Sequence, residues 1–487
     1  MWYNERMKID RRWFLGGLAV MLAAAGCRSA WWGGEAPKLK FGVIGDVHIT
    51  TPESTADLRR ALAYFRDEGV DAVMLVGDLS DWGLKSGFEY VADAWFDTFP
   101  DNRAPDGRKV EKLFITGNHD FDGWWYGDMV LDMHTHGYSE AESLVRLGLK
   151  ECWEAAFEEP FADIRHRTVR GYDFISSEWK VDGEVEGDAA LARYLEAHAA
   201  ELSPARPFFC FRHSPPDGIF AKPGARADES ALTAALRKLP NCVFFSGHTH
   251  RTLNDERAIW QGEFTAISVP ALSYAAIPGG YENGGASRNA SAELSMPAIP
   301  ARARLEEAQG YLVSVYDDRM VVERYDFEHM VEAAAPWVVP LGPGREQPYV
   351  FANHAKVTPV PEFPRGATVT TRTVNADTRN ARWRIFVELE FPAAKAPGGR
   401  VYDYEIRAEM EDGGEVAAVK RFLSPAFHKL PEDEPERLCF RFDAMDLPET
   451  GRYRFRIYPR NCFRKAGRPV CSQVFESQPG KDKPQSR

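Results

Sequence analysis

Lys112-Leu113-Phe114-Ile115-Thr116-Gly117-Asn118-His119-Asp120 decides how this chain is read. An apolar run of strand length breaks at a glycine and delivers an amide, an imidazole and a carboxylate in consecutive positions. The same design recurs on both sides of it. Leu39 to Gly45 leads into Asp46-Val47-His48, and Asp71 to Gly77 leads into Asp78. Pro207 to Phe211 leads towards His213, and Cys242 to Gly247 into His248-Thr249-His250. Between the strands lie helical stretches such as Thr51 to Glu68. There Leu58, Ala61, Leu62 and Phe65 share a face, and Ser54 and Asp57 have capping-box-like spacing. Strand runs at Phe264 to Val269 and Tyr311 to Tyr325 extend the pattern. Alternation of this kind predicts α/β layers.

In open α/β sheets, ligands bind beyond the carboxyl ends of the strands, so these motifs converge on one edge. Asp46, His48, Asp78, Asn118, His213, His248 and His250 supply carboxylate, amide and imidazole donors. Such a mixed nitrogen and oxygen set suits Mn, Fe, Zn, Co or Ni. It is too large for one ion and about enough for two, and a carboxylate such as Asp78 can bridge ions ~3.5–4 Å apart. Singly, each motif reads as an ordinary turn or a core histidine. Jointly, in this order at these strand ends, they point to metal chemistry.

The motif series resembles the calcineurin-like metallophosphoesterase family from about Leu39 to Tyr325. The resemblance implies a two-sheet sandwich flanked by helices and two divalent ions. It implies one ion on Asp46, His48, Asp78 and His250, and a second on Asp78, Asn118, His213 and His248. It implies hydrolysis of a phosphodiester or phosphomonoester by a metal-bridging hydroxide. His119 would contact the phosphate or protonate the leaving group, with Asp120 orienting it. The purple acid phosphatases of the wider group place an iron-binding tyrosine where this chain has Asp81, and a glycine where it has His48. No tyrosinate–iron colour is therefore expected. Pyrophosphohydrolysis of a nucleotide- or lipid-linked substrate is the neighbouring alternative. A surface binding protein with an inert phosphoesterase domain is the non-enzymatic one.

Arg212, beside His213, is a candidate phosphate contact or else a solvated surface charge. Trp124, Trp125 and Tyr126 in the insertion Phe121 to Arg170, which reads as an ordered cap, could stack on a base or sugar or form the cap's own core. His134 and His136 are polar candidates there or ordinary exposed histidines, and Gly279 to Arg304 reads as a mobile loop or lid. The net charge of −12 argues against a nucleic-acid duplex as partner. A small phosphorylated substrate fits better.

The first residues read as an export signal. Lys8, Arg11 and Arg12 precede an apolar run ending at Gly26-Cys27. Arg11-Arg12-Trp13-Phe14-Leu15 resembles a twin-arginine signal, and Ala24-Ala25-Gly26-Cys27 a bacterial lipobox that would tether the chain to a membrane through Cys27. The expected location is the bacterial cell envelope, periplasm or outer surface. Among the other cysteines, Cys210 and Cys242 read as small buried residues, and Cys462 and Cys471 could pair.

Pro336 to Pro364 is dense in proline and reads as a linker region. Beyond it the apolar period becomes two, as in Trp383, Ile385, Val387, Leu389 and Phe391, and again from Tyr402 to Met410. Asp412-Gly413 supplies a hairpin turn. Leu447, Gly451 and Tyr453 resemble the tyrosine corner of an immunoglobulin-like sandwich. The expected layout is 1–34 signal and tether, 35–345 phosphoesterase domain, 346–357 linker, 358–478 all-β sandwich and 479–487 tail. The sandwich is a candidate glycan- or protein-binding module, with packing against the catalytic domain the plainer reading.

Overall fold

The computed structural model describes residues 35–121, 143–179, 184–202, 206–220, 230–276, 308–377, 383–427, 429–447 and 451–477. Two six-stranded sheets face each other. In the first, β1 (Leu39–Ile44), β2 (Ala72–Val76) and β3 (Glu111–Ile115) run parallel, and β10 (Gln309–Val315), β11 (Arg319–Asp326) and β12 (Val331–Pro340) complete the order β12-β11-β10-β1-β2-β3. The second has the order β4-β5-β6-β7-β9-β8, from β4 (Ile164–Val169), β5 (Tyr172–Ser177), β6 (Phe208–Phe211), β7 (Cys242–Ser246), β8 (Ile259–Gln261) and β9 (Thr265–Ser268). The central strands are continuous apolar runs because both of their faces are covered. Between the sheets lie Phe41, Met74, Ile115, Phe174, Phe209 and Phe245.

Helices close the outer faces. Helix α1 (Ala56–Asp67) buries Leu58, Ala61, Leu62 and Phe65, as its periodicity requires, against Phe88, Val91 and Trp95 of α2 (Lys85–Thr98). Its start differs from expectation. Thr55 is the N-cap without a side-chain bond, and Ser54 Oγ accepts from the N–H groups of Thr50 and Thr51, closing the preceding turn instead. Helices α4 (Glu184–His198) and α5 (Ala231–Leu236) cover the second sheet through Leu191, Leu195, Leu232 and Leu236.

Two sequence readings need correction. The second half of the presumed cap is core: α3 (Leu149–Phe157) sends Trp153 and Phe157 against Phe88 and Phe114. Residues 122–142, which hold Trp124, Trp125, Tyr126, His134 and His136, lie outside the described residues, as do 277–307. The proline-dense stretch is also largely ordered. Its first prolines belong to β12, an edge strand, where Pro336 lies at a register break and Pro340 at the strand end, positions that need no ladder N–H. Further on, Phe351–Val357 forms helix α6 inside the expected linker.

The C-terminal part is all-β. One sheet has the order β13 (Thr370–Asp377), β14 (Trp383–Pro392), β17 (Arg437–Asp443). The other has the order β16 (Val416–Leu423), β15 (Asp403–Met410), β18 (Gly451–Arg460), β19 (Val470–Cys471), with β20 (Phe475–Ser477) also on β18. Val387, Leu389, Phe391, Tyr404, Ile406, Phe440 and Phe455 fill the space between them, and Tyr453 is wholly buried there. Glu388 lies on the opposite face of β14, paired with Arg372 and Arg441, as alternation demands. Cys462 and Cys471 are free thiols, one buried and the other exposed opposite Arg456; Cys210 and Cys242 are buried.

The two parts share a seam. Leu430 enters the core between the catalytic sheets, Asn254 Nδ2 donates to the Phe427 carbonyl at 3.1 Å, and the Arg257 guanidinium lies 4.6 Å from the Tyr402 ring. Glu256 joins Arg324, Trp337 and His354 of α6 at 2.7, 2.8 and 3.2 Å.

Candidate metal centre

Strand register explains why distant residues meet. Ile44 pairs with Leu75 and Val76 with Ile115, so β1, β2 and β3 end together. The exits of β1 and β2 then run side by side: the N–H groups of Asp46, Val47 and His48 donate to the carbonyls of Gly77 and Asp78. In the other sheet Phe211 pairs with Phe245, which brings His213 beside the turn carrying His248 and His250.

All seven donor residues reach one place. His250 Nε2 lies 3.1 Å from Asp46 Oδ1, and His48 Nε2 lies 3.6 Å from Asp78 Oδ2 and 3.3 Å from His250 Nε2. Across Asp78, His213 Nε2 lies 3.1 Å from the same Oδ2. Asn118 Oδ1 lies 3.1 Å from His213 Nε2 and 2.9 Å from His248 Nδ1. Asp46, His48, Asp78 and His250 present ligand atoms all within 4.8 Å of one another. Asp78 thus stands between two donor groups, Asp46–His48–His250 and Asn118–His213–His248.

The backbone is held for this purpose. Asp46, His48, Asp78, His248 and His250 all have positive φ, between 46° and 67°. Each such residue without glycine's freedom costs on the order of 1–3 kcal/mol and persists where the surroundings impose it. The motif glycines are spatial necessities. A Cβ on Gly117 would stand 2.1 Å from Asp78 Oδ1, and one on Gly247 would stand 2.6 Å from Asp46 Oδ2.

Electrostatics agree with a cation site. Burial would raise the Asp46 and Asp78 carboxyls, but His250 and His213 respectively outweigh it, and both stay ionised below the usual range. Burial, with His213 adding to it, pushes His248 down to about 4, so its ring offers lone pairs at neutral pH. Against burial, Asp78 lifts His213 to about 9. Imidazole nitrogens 3.3 Å apart beside buried carboxylates form a donor set whose negative charge a divalent ion would neutralise.

The structure redistributes the catalytic roles. His119 turns Nδ1 to the Asp81 carbonyl at 3.0 Å and to Asp81 Oδ1 at 3.3 Å. Asp81 Oδ1 also lies 2.7 Å from His48 Nδ1, so one carboxylate holds a metal-ligand candidate and the catalytic candidate together. Asp120, expected to orient His119, instead accepts the N–H groups of Leu79, Ser80 and Gly117 and ties the two strand exits together. Arg212, expected at the phosphate, is wholly buried and paired with Asp188 of α4, because β6 directs it under the helix while His213 takes the opposite side. Sequence reasoning noticed Asp81 only as a missing tyrosine; its position three residues after Asp78 was the available signal. Trp179 and Tyr274 were also missed. Tyr274 packs its ring 4.2 Å from His250 and its carbonyl accepts from His250 Nδ1 at 3.0 Å.

Donor set and fold together define a metallophosphoesterase, a hydrolase of phosphoric ester bonds. Residues 39–252 match the calcineurin-like phosphoesterase family, so this part of the chain is a calcineurin-like phosphoesterase domain. Strands β10 to β12 complete its first sheet from beyond that range. No curated protein matches the chain. Among solved structures, a conserved uncharacterized protein (predicted phosphoesterase) from Streptococcus pneumoniae TIGR4 is 11% identical, with 62% of this chain and 97% of that one covered and a TM-score of 0.25. GAP50, the anchor in the inner membrane complex of Plasmodium, is 12% identical over 65% and 94%, with a TM-score of 0.35. The purple acid phosphatase PPD1 of yellow lupin (Lupinus luteus) seeds is 12% identical over 63% and 54%, with a TM-score of 0.36.

Proposed function

We propose that the protein is an exported, two-metal phosphoesterase that hydrolyses a small phosphate mono- or diester. The observation that carries this reading is Asp78, whose Oδ2 faces His48 on one side and His213 on the other. Asp46, His48, Asp78 and His250 would hold one divalent ion, and Asp78, Asn118, His213 and His248 the other. Mn, Fe or Zn would suit these donors. Bound there, the ions supply Lewis acidity to the phosphoryl group and acidify water to a pKa of ~7.

The remaining work belongs to side chains. Burial opposes protonation of His119, but the Asp81 carboxylate at Nδ1 favours it. With Nδ1 engaged by Asp81, the proton goes to the leaving oxygen from Nε2. Asn118, His119 and His248 are the half-exposed members of the site, while Asp46, His48, Asp78, His213 and His250 are buried. Substrate therefore approaches over the Asn118–His119–His248 side. The leading segment, with Arg11, Arg12 and Cys27, supports export to a bacterial envelope and a lipid tether.

Turnover of p-nitrophenyl phosphate and bis-p-nitrophenyl phosphate by metal-stripped, Mn-loaded and Zn-loaded protein tests the reading. Metal-dependent hydrolysis lost in Asp78→Asn and His119→Ala is expected. A protein that binds no metal would overturn it.

A further inference from the structure

Trp179 is the residue on the site's rim that the two-metal reading leaves without a task. It follows Glu178 at the end of β5 and is only half-buried. Its backbone is bolted to the catalytic turn. The Trp179 N–H donates to Thr116 Oγ1 at 3.2 Å, and the Glu178 carboxylate takes both the N–H and the hydroxyl of Thr116 at 2.7 Å. The indole therefore rises from a backbone fixed relative to Gly117-Asn118-His119. It stands 6.1 Å from the His248 ring and 5.9 Å from the His213 ring, and the buried Arg212 guanidinium lies 5.8 Å from it.

Orienting the ligands does not require this ring. His213 Nδ1 is already held by the Val76 carbonyl at 2.8 Å, and His248 Nδ1 lies 2.9 Å from Asn118 Oδ1. Tyr274 differs on this point: its carbonyl holds His250 directly. Trp179 leaves a large apolar surface partly in water on the side where Asn118, His119 and His248 open to solvent. A rigid aromatic face beside charged, phosphate-binding groups suits a ligand with one planar and one anionic end.

Resting on the phosphoesterase reading, we infer that Trp179 is a specificity-determining wall of the substrate cleft, selecting phosphoesters that carry a planar aromatic ring, a nucleobase or an aryl group, next to the phosphate. The ring stacks on the indole while the phosphate lies over the Asn118–His119–His248 side.

Calorimetric titration of the metal-loaded full chain with phenylphosphonate and methylphosphonate tests this without turnover. The wild type is expected to bind phenylphosphonate about 10-fold tighter, the scale of one stacking contact. Trp179→Leu should bring the ratio close to one at unchanged metal content and methylphosphonate affinity, and Trp179→Phe should keep most of the preference. AMP outcompeting ribose 5-phosphate for the site would support a nucleobase as the natural ring. Equal competition would support a simple aryl ester. An unchanged ratio in Trp179→Leu overturns the inference. So does loss of metal in that variant, which would make the indole a strut for the ligands. Metal-loaded wild type binding neither phosphonate would bring down the phosphoesterase reading itself, and this inference with it.

Discussion

Asp81 and His119 form a carboxylate–imidazole pair, 3.3 Å between Oδ1 and Nδ1, reinforced by the Asp81 carbonyl at 3.0 Å. The same oxygen lies 2.7 Å from His48 Nδ1. Asp81→Asn should therefore act on rate and on metal together. We expect kcat to fall about 100-fold at saturating metal, the scale of a misplaced proton donor, and metal affinity to fall about 10-fold. Steady-state kinetics with metal analysis of the same samples reads both. Wild-type kcat in this variant would remove Asp81 from the mechanism.

Gly117 and Gly247 admit no side chain without displacing the Asp78 or Asp46 carboxylate. Gly117→Ala is expected to fold but to lose at least one of two bound metal equivalents, measured by calorimetry beside circular dichroism. Full metal occupancy in this variant would contradict the close approach.

Arg212 is a test of structural against substrate roles. Removing it leaves Asp188 unpaired in the interior, at a cost of about 3 kcal/mol. Arg212→Met should lower the denaturation midpoint while KM for phosphoester stays unchanged. A KM effect without a stability loss would return Arg212 to the substrate.

Removal of metal should destabilise the fold as well as stop turnover. Each ion at about 100 times its Kd adds roughly 2.7 kcal/mol to a site that binds only when folded. Chelation is expected to lower Tm by several degrees and re-addition to restore it. An unmoved Tm would mean that the ions bind elsewhere or weakly.

Glu256 ties the catalytic sheets to α6. Burial would raise its carboxyl, but Arg324, with hydrogen bonds from His354 and Trp337, holds it down to about 2 against an ordinary 4.5. A depressed folded pKa means stability that is complete above the unfolded value and lost as pH falls from about 4.5 towards 2. Glu256 should contribute on the order of 3 kcal/mol at neutral pH. Denaturant unfolding across this range should show a shallower acid loss in Glu256→Gln than in wild type. Parallel pH curves would refute the linkage.

Sequence by itself determined a good deal here. Apolar runs ending at glycine located β1, β2, β3 and β7, and an apolar run without one located β6, because a strand buried on both faces needs an unbroken apolar stretch. Period-two alternation marked β14 and β15, because a sheet with one wet face must alternate. The seven donor residues were legible because their side-chain types follow those strand ends. Tertiary structure alone decided which carboxylate serves His119: the sequence pointed to its neighbour Asp120, but the crossing of two strand exits gives Asp120 to backbone N–H groups and Asp81 to the imidazoles. It decided that Arg212 points away from its neighbour His213, because adjacent residues leaving a strand take opposite sides. It also placed Trp179 at the metal centre, through a pairing of β5 with β6 that joins residues far apart in the chain. Local patterns record which face of an element is buried. Which side chains meet across elements depends on register and packing, which no local pattern contains.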